Sequence, residues 1–369
     1  MTDSVPTPGQ TPDRLSRLPD LIAMASESSS ERRRELLREL SEHFFGSPAH
    51  GEAEAELYSD VFTRLLADME TAVRAELSQR FSTRLNAPRS LIRRFASDEI
   101  EVAEPVLQGS PVLTDEDLLA VVRTQGQGHL RAVSRRASVS EVVSDVIVAR
   151  SDDETLQTLL ENEGASLSRQ ASESAIDRAK GNPDLHAVVV DRKTLPPDLL
   201  NEMYFVVESE LRRRIVARNA ALDPDLLETA ISAGLARLGT EDGVLPRDYL
   251  DALALVKTNR SGRTLSSIEI ARILRSGNQT AFRIALAEVS DVDFYTVSRI
   301  MEQGEIDGLA VLCRAANLDG PLFLTIALSV LGNTASAMGK ARAYALHYAE
   351  LGQDAATRTL RFWRMRRAA

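Results

Sequence analysis

Arginine is the residue type whose distribution in this sequence most clearly suggests a binding role. It occurs in short basic runs, and the last of these runs surrounds the chain's tryptophan. The candidate interaction residues are Arg93, Arg94, Arg135, Arg136, Arg212, Arg213, Arg214, Trp363, Arg364, Arg366 and Arg367. A shared basic surface of this kind would suit an acidic partner or a phosphate-bearing ligand, because arginine supplies charged hydrogen-bond donors.

The same arginines also have an interpretation that involves no partner. Glu208 precedes Arg212 and Glu210 precedes Arg214 by four residues, a spacing that pairs side chains on a helix surface. The terminal run could lie on a membrane or in a partner groove. It could equally cap the fold by packing Phe362 and Met365 inward while its arginines stay in water. We favour the capping interpretation.

Catalytic and nucleotide-binding motifs find little support in the sequence. Gly339-Lys340 follows Gly332 with six residues between the glycines and Ala341 after the lysine, which does not match a phosphate-binding loop. No G-x-S-x-G motif is present. The histidines, His43, His50, His129, His186 and His347, show no metal-binding spacing. Acidic residues gather at helix starts, where they complement the helix dipole. We therefore predict no catalytic residues, no metal and no cofactor, and a protein that is not an enzyme.

Composition narrows the class of protein. The chain has 369 residues, a formal charge of −10, 43% hydrophobic and 27% charged residues, which is typical of a folded chain and argues against general nucleic-acid binding. The single cysteine, Cys313, lies in an apolar stretch and is predicted to be a core residue. No stretch is apolar enough to span a bilayer, and the first residues lack the pattern of a signal peptide. A cytoplasmic location is expected.

A recurring phrase in the sequence predicts where the helices that must position these residues begin. A turn residue, a helix-starting residue, an acid or proline and then leucine occur around Leu91, Leu118, Leu156, Leu199 and Leu226. The intervals of 27, 38, 43 and 27 residues are too uneven for a regular solenoid and predict degenerate units. Thr114 with Asp117, and Ser151 with Glu154, approximate capping boxes. The β-branched runs 146–148 and 188–190 could be strands, but their neighbours favour helix.

We predict an all-α, degenerate HEAT-like solenoid of about twenty short helices. Its expected parts are a disordered tail at 1–12, N-terminal helices at 13–84 including one long helix through Tyr58 and Leu77, repeats at 85–260, and a C-terminal helical region at 261–369 that ends in the arginine-rich helix.

Several strings resemble one bacterial family over roughly residues 20 to 350. They are Ile100-Glu-Val-Ala-Glu-Pro-Val-Leu-Gln-Gly-Ser-Pro-Val-Leu-Thr-Asp-Glu-Asp-Leu-Leu119, His129-Leu-Arg-Ala-Val-Ser-Arg-Arg136, Val139-Ser-Glu-Val-Val-Ser-Asp145, Leu195-Pro-Pro-Asp-Leu-Leu200 and Gly308-Leu-Ala-Val-Leu-Cys-Arg-Ala-Ala316. The family is domain of unknown function 2336, which has no established activity and no catalytic residues to carry over. The resemblance implies an all-helical, HEAT-like fold in a bacterial cytoplasmic protein.

The function expected from the sequence is a non-catalytic scaffold or adaptor that binds another protein through its helix faces. The alternative is a helical repeat that uses the arginine runs to bind nucleic acid or to sense a small phosphorylated ligand. The sequence does not predict an oligomeric state.

Overall fold

The computed structural model describes residues 30–46, 51–67, 69–235, 245–262, 264–332 and 335–368. Within these ranges the fold is all-α, with 22 α-helices, two short 3₁₀ turns and one isolated bridge between Val139 and Ala165. The predicted all-α class is therefore confirmed. The tail predicted at 1–12 lies outside the described residues.

The helices follow one another with short connections. They are α1 (Ser30–Phe45), α2 (Glu52–Leu66), α3 (Thr71–Phe81), α4 (Arg89–Ala96), α5 (Ile100–Gly109), α6 (Asp115–Thr124), α7 (Gln127–Ser134), α8 (Glu141–Arg150), α9 (Asp153–Glu161), α10 (Arg169–Gly181) and α11 (His186–Asp191). They continue as α12 (Pro197–Glu202), α13 (Ser209–Ala220), α14 (Pro224–Leu235), α15 (Tyr249–Asn259), α16 (Ser267–Arg275), α17 (Gln279–Ser290), α18 (Phe294–Glu302), α19 (Ile306–Ala315), α20 (Gly320–Leu331), α21 (Ala335–Glu350) and α22 (Gln353–Ala368).

The recurring phrase marks a helix start at every one of its five positions, at α4, α6, α9, α12 and α14. At α6 the Asp117 carboxylate accepts hydrogen bonds from both the backbone N–H and the hydroxyl of Thr114, at 3.1 Å. The cap of α9 differs from the prediction by one residue. Asp152, rather than Ser151, accepts the backbone N–H of Thr155, because a carboxylate is the stronger acceptor for an unpaired helix N–H.

The structure settles the two β-branched runs that could be helix or strand, and it also tests the predicted long helix. The β-branched runs 146–148 and 188–190 are helical, in α8 and α11. The single long helix predicted through Tyr58 and Leu77 is wrong: α2 ends at Leu66 and α3 begins at Thr71. The break is held by Arg74, whose Nη1 donates to the backbone carbonyl of Met69 at 2.6 Å. The two shorter helices share α4 as a neighbour, but α2 also packs on α1, whereas α3 also packs on α5.

The chain divides into two compact units, Met1–Ala171 and Ser172–Ala369. The boundaries predicted at 84/85 and 260/261 stay predictions. In the first unit, α3, α5, α7 and α9 pack in one row, while α2 packs on α4 and α6 packs on α8. Helices that alternate between layers in this way are compatible with the predicted solenoid, which also stays a prediction.

Carbonyl groups at helix ends are repeatedly bonded by an arginine or asparagine from about 25–29 residues further along the chain. Arg136 donates to the carbonyls of Leu107 and Ser110 at 2.5 and 2.9 Å, which closes the end of α5. Arg150 does the same for α6, Asn162 for α7 and Arg218 for α11. The last carbonyls of a helix have no partner within it, so each of these side chains satisfies that need and sets the spacing of two helices.

The second unit closes on its own last helix. In α22, Arg358 donates to the carbonyl of Ala220 at the end of α13, at 2.9 Å. At other helix ends the donor lies about 25–29 residues further along the chain, whereas here 138 positions separate the two residues. A buried cluster adds to this contact: Asn219 is hydrogen-bonded to Asn201 and to Thr359, at 2.9–3.0 Å. Because a buried amide without partners is costly, this cluster fixes the position of α22 on α12 and α13.

We expect Arg136→Met to lower the free energy of unfolding by about 1–3 kcal/mol, because two buried carbonyls lose charged donors. Urea unfolding of the full chain measures this change. Arg135→Met is the matched control, since its half-exposed side chain forms one ion pair with Glu104 at 3.2 Å and should cost less than about 1 kcal/mol. Equal effects of the two substitutions would contradict the capping role of Arg136.

Candidate functional site

The second unit contains an open cleft with a volume of about 620 Å³. It lies between α13, the start of α19, the end of α21 and the first turn of α22. Its lining combines a mostly apolar wall with polar groups: Tyr204, Arg212, Arg213, Val216, Ala217, Ala220, Asp307, Val311, His347, Glu350, Leu351, Gly352, Gln353, Asp354 and Ala355. A volume of several hundred Å³ with a few converging polar groups is typical of a ligand site.

The cleft has two chemically different ends. Arg212, Arg213, Asp307 and His347 form the polar end near the start of α13. The opposite end lies at Ala220 and the first turn of α22, because Arg358, one turn after that first turn, binds the carbonyl of Ala220. Alanines, Gly352 and the exposed acids Glu350 and Asp354 line this far end, and the alanines and the glycine leave space that larger residues would fill.

Asp307 organises the polar end. Its carboxylate accepts a hydrogen bond from the Ser209 hydroxyl, one from Arg213 Nε at 3.3 Å and one from His347 Nε2 at 3.1 Å. The donors come from α13 and α21, so one buried carboxylate ties two helices to the start of α19. Its place in the first turn of α19 adds the favourable interaction with the helix dipole.

The protonation of Asp307 follows from these contacts. Burial by itself raises the pKa of the Asp307 carboxyl, but the hydrogen bonds from His347 and Ser209 and the charge of Arg213 outweigh it. The net result is a pKa below the ordinary value, so Asp307 is ionised across the neutral range.

A second charged pair lies beside the first. Arg212 Nη2 contacts Glu305 Oε1 at 3.0 Å, and its Nε donates to the carbonyl of Tyr204 at 3.1 Å. Burial raises the pKa of Glu305, although Arg212 and Arg299 oppose the shift. Within the described residues, Glu305 Oε2 and the Tyr204 hydroxyl are buried and have no hydrogen-bond partner.

The arrangement of Ser209, Asp307 and His347 is not that of a hydrolase triad. In such a triad the histidine lies between the serine and the acid and takes the serine proton. Here both Ser209 and His347 donate to Asp307, so the serine proton faces a carboxylate of low pKa. Among the described residues no group of three or more His, Cys, Asp or Glu side chains could hold a metal ion.

The predicted arginines of the first unit have different partners. Arg93 pairs with Asp117 at 3.0 Å, Arg94 is exposed, and Arg135 pairs with Glu104. Arg136 bonds the carbonyls at the end of α5. Three of these four residues therefore hold neighbouring helices together.

The run 212–214 is divided between two sides of α13. Arg212 and Arg213 line the cleft, while Arg214 pairs with Asp191 at 2.9 Å and with Glu210 at 2.6 Å. The predicted pair of Glu210 and Arg214 is confirmed. The predicted pair of Glu208 and Arg212 is wrong, because the buried Glu305 offers Arg212 a partner that is shielded from water.

Trp363 does not lie on an interaction surface, which corrects the prediction. It is 2% exposed, and its ring packs 4.9 Å from that of Tyr204 and 5.3 Å from that of Phe205, because α22 is drawn into the core of the second unit. Phe362 is buried as predicted. Arg364 donates to the carbonyl of Ser290 at 3.0 Å. The side chains of Met365, Arg366 and Arg367 lie outside the described residues.

The residues around Asp307 are not predicted by the sequence pattern. Ser209 and Asp307 are 98 positions apart, and Asp307 resembled the many acids that begin helices. His347 resembled a lone histidine. Three other histidines also have single partners: His43 bonds the Tyr58 hydroxyl, and His129 and His186 bond the backbone carbonyls of Asp98 and Ala179. Nothing in the local spacing of residues distinguishes His347 from them.

Fold and cleft together define an all-α protein of short packed helices with an open, partly polar cleft in its second unit. In comparisons with known proteins, residues 102–361 match a family described as an uncharacterised protein conserved in bacteria, domain of unknown function 2336. The match covers more than half of the chain, so the chain belongs to this family. No curated protein and no solved structure matches it. None of its described helices has the length and apolar character required to cross a membrane.

We expect Asp307→Asn to destabilise the chain by about 2–4 kcal/mol at pH 7, because three donors lose the charge that they face. A lowered pKa means that the stabilisation is present above the ordinary aspartate value of 3.8 and is lost as the pH falls through the lower folded value. Thermal unfolding from pH 7 to pH 3 should show a difference from the unsubstituted protein that shrinks below about pH 4. Glu350→Gln, an exposed carboxylate of the same cleft, is the control. A difference that grows as the pH falls would refute this assignment.

Proposed function

We propose that this protein is a bacterial cytoplasmic scaffold or adaptor that works by binding another protein, without catalysis of its own. The support comes from what its surface presents and from how its charged residues are used. The helical-repeat architecture expected from the sequence would serve such a function, since stacked helices present extended surfaces.

One observation carries the proposal: the most apolar helix of the second unit is only half covered. Apart from its first two residues, Gly320 and Pro321, α20 contains only Leu, Phe, Ile, Val, Ala, Thr and Ser, yet Phe323, Ile326 and Ala327 are its only fully buried residues. Its remaining apolar side chains, Leu322, Leu324, Leu328, Val330 and Leu331, keep part of their surface accessible. A helix that is apolar all round normally lies inside a protein, so a partly open one suggests a contact surface.

The neighbouring helix extends this surface. Helix α21 packs on α20, and its outward residues Arg342, Ala343, Leu346 and Glu350 follow one another at helical spacing. Leu346 is 56% exposed at the centre of this row. We call the open side of α20 and α21 the C-terminal face. Leu346 and the accessible apolar residues of α20, with Arg342 one helical turn before Leu346, fit an amphipathic partner helix that carries an acidic residue facing Arg342.

The runner-up, nucleic-acid binding, receives less support. In the described residues, Arg93, Arg135, Arg213 and Arg214 are paired with carboxylates, while Arg136 caps a helix end. A phosphate backbone would have to compete with these internal partners, in a chain of formal charge −10.

We expect a photo-crosslinking residue at Leu346 to trap one protein in bacterial cells, and Leu346→Glu to weaken binding of that purified protein by about tenfold or more, since burial of an unpaired charge is costly. Isothermal titration calorimetry measures the change. Leu250→Glu is the matched control, because Leu250 is 78% exposed on α15 of the same unit and lies outside the C-terminal face.

The possible outcomes separate the alternatives. The proposal is supported if one protein is crosslinked at position 346 and its binding is weakened by Leu346→Glu but not by Leu250→Glu. A crosslink between two copies of this chain would replace it with self-association. Equal effects at the two leucines, or a partner whose affinity falls steeply with salt and that proves to be RNA or DNA, would overturn it.

A further inference from the structure

Arg213 is held in a position that leaves much of its guanidinium group for a ligand. Its Nε contacts Asp307 at 3.3 Å, and the side chain is 55% exposed at the polar end of the cleft. The ion pair uses one of its nitrogens, and the terminal Nη groups carry four further N–H donors. Because Asp307 is itself fixed by Ser209 and His347, the guanidinium is oriented before any ligand arrives.

Tyr204 provides an independent indication at the same end. Its side chain is fully buried against the cleft, and its hydroxyl has no hydrogen-bond partner among the described residues. The Arg212 guanidinium lies over the Tyr204 ring, 6.0 Å from its centroid, which places this side chain at the polar end, and burial raises the pKa of the Tyr204 hydroxyl. A buried hydroxyl is normally paired, so an acceptor oxygen on a ligand would complete it.

The middle of the cleft is apolar. Val216, Ala217, Val311 and Leu351 line it between the two ends, and the volume of about 620 Å³ exceeds what a small inorganic ion needs. An ion such as phosphate alone would leave this wall facing water. A ligand with a hydrocarbon body would cover it and would gain the free energy of burying that apolar surface.

The charge of the lining limits how many negative charges the ligand can carry. Three carboxylates, Asp307, Glu350 and Asp354, outnumber the two arginines, Arg212 and Arg213. Arg212 is also engaged by Glu305. A polyanion such as a nucleoside triphosphate would therefore meet repulsion at the far end, whereas one oxyanion group beside Arg213 would not.

We propose that the cleft of the second unit binds a small amphiphilic monoanion, a molecule with one oxyanion group at Arg213 and Tyr204 and an apolar body along Val216 and Leu351. This site is separate in role from the C-terminal face, and it gives the protein a ligand to sense in addition to a partner. Failure of either proposal leaves the other intact, since the two tests use different residues.

The test uses the full chain with octanoate and 4-phenylbutyrate as probes, octanol as the uncharged counterpart and ATP as the polyanion. Trp363, the chain's tryptophan, packs on Tyr204, so its fluorescence reports occupancy of the cleft. We expect saturable binding of a carboxylate probe, at least about tenfold weaker binding of octanol, and none of ATP. Arg213→Gln should weaken carboxylate binding by about tenfold or more.

Arg214→Gln is the matched control, since the adjacent Arg214 pairs with Asp191 and Glu210 and does not line the cleft. Ala217→Leu, which narrows the apolar wall, should weaken both probes while thermal unfolding shows that the chain stays folded. Equal loss in the Arg213 and Arg214 variants, octanol binding as tight as octanoate, tighter binding of ATP, or no binding of either carboxylate at about 5 mM would each overturn the proposal.

Discussion

The unpaired carbonyls at the ends of short helices are the constraint on which this structure depends. A helix of eight to twelve residues leaves four carbonyls unbonded at its end, a large share of its backbone. Arg136, Arg150, Asn162 and Arg218 each donate to such a group in a helix that precedes them by about 25–29 residues. The same bonds that satisfy the backbone therefore set which helices pack together, and they use arginines that would otherwise be available to a partner.

In the second unit, the donor to one helix end comes from the last helix of the chain instead of from a nearby one. Arg358 of the last helix bonds the end of α13, and the buried amide of Asn219 bonds Thr359 beside it. Because α22 is held at these points, Trp363 is drawn inward and the small residues of its first turn face α13. The cleft is a consequence of this closure, and Asp307 then ties its polar end to two further helices.

Local patterns predicted the helix starts well and the long-range partners poorly. The leucine phrase located α4, α6, α9, α12 and α14, because capping and apolar spacing act within a few residues. The apolar stripe from Tyr58 to Leu77 predicted one helix instead of two, since a stripe does not reveal the bond from Arg74 to Met69 that holds the break. Helical spacing pairs Arg212 with its neighbour Glu208, whereas its partner in the structure is Glu305, 93 positions later.

The sequence alone determined the all-α class and the five helix starts at the leucine phrase. It also determined the burial of Cys313 and Phe362 and the pairing of Glu210 with Arg214. All of these follow from interactions within one or two helical turns. Only the tertiary structure decided which arginines meet carbonyls, which meet carboxylates, and that Ser209, Asp307 and His347 converge. Those contacts join residues far apart in the chain, and their strength depends on burial, which arises only when the helices have packed.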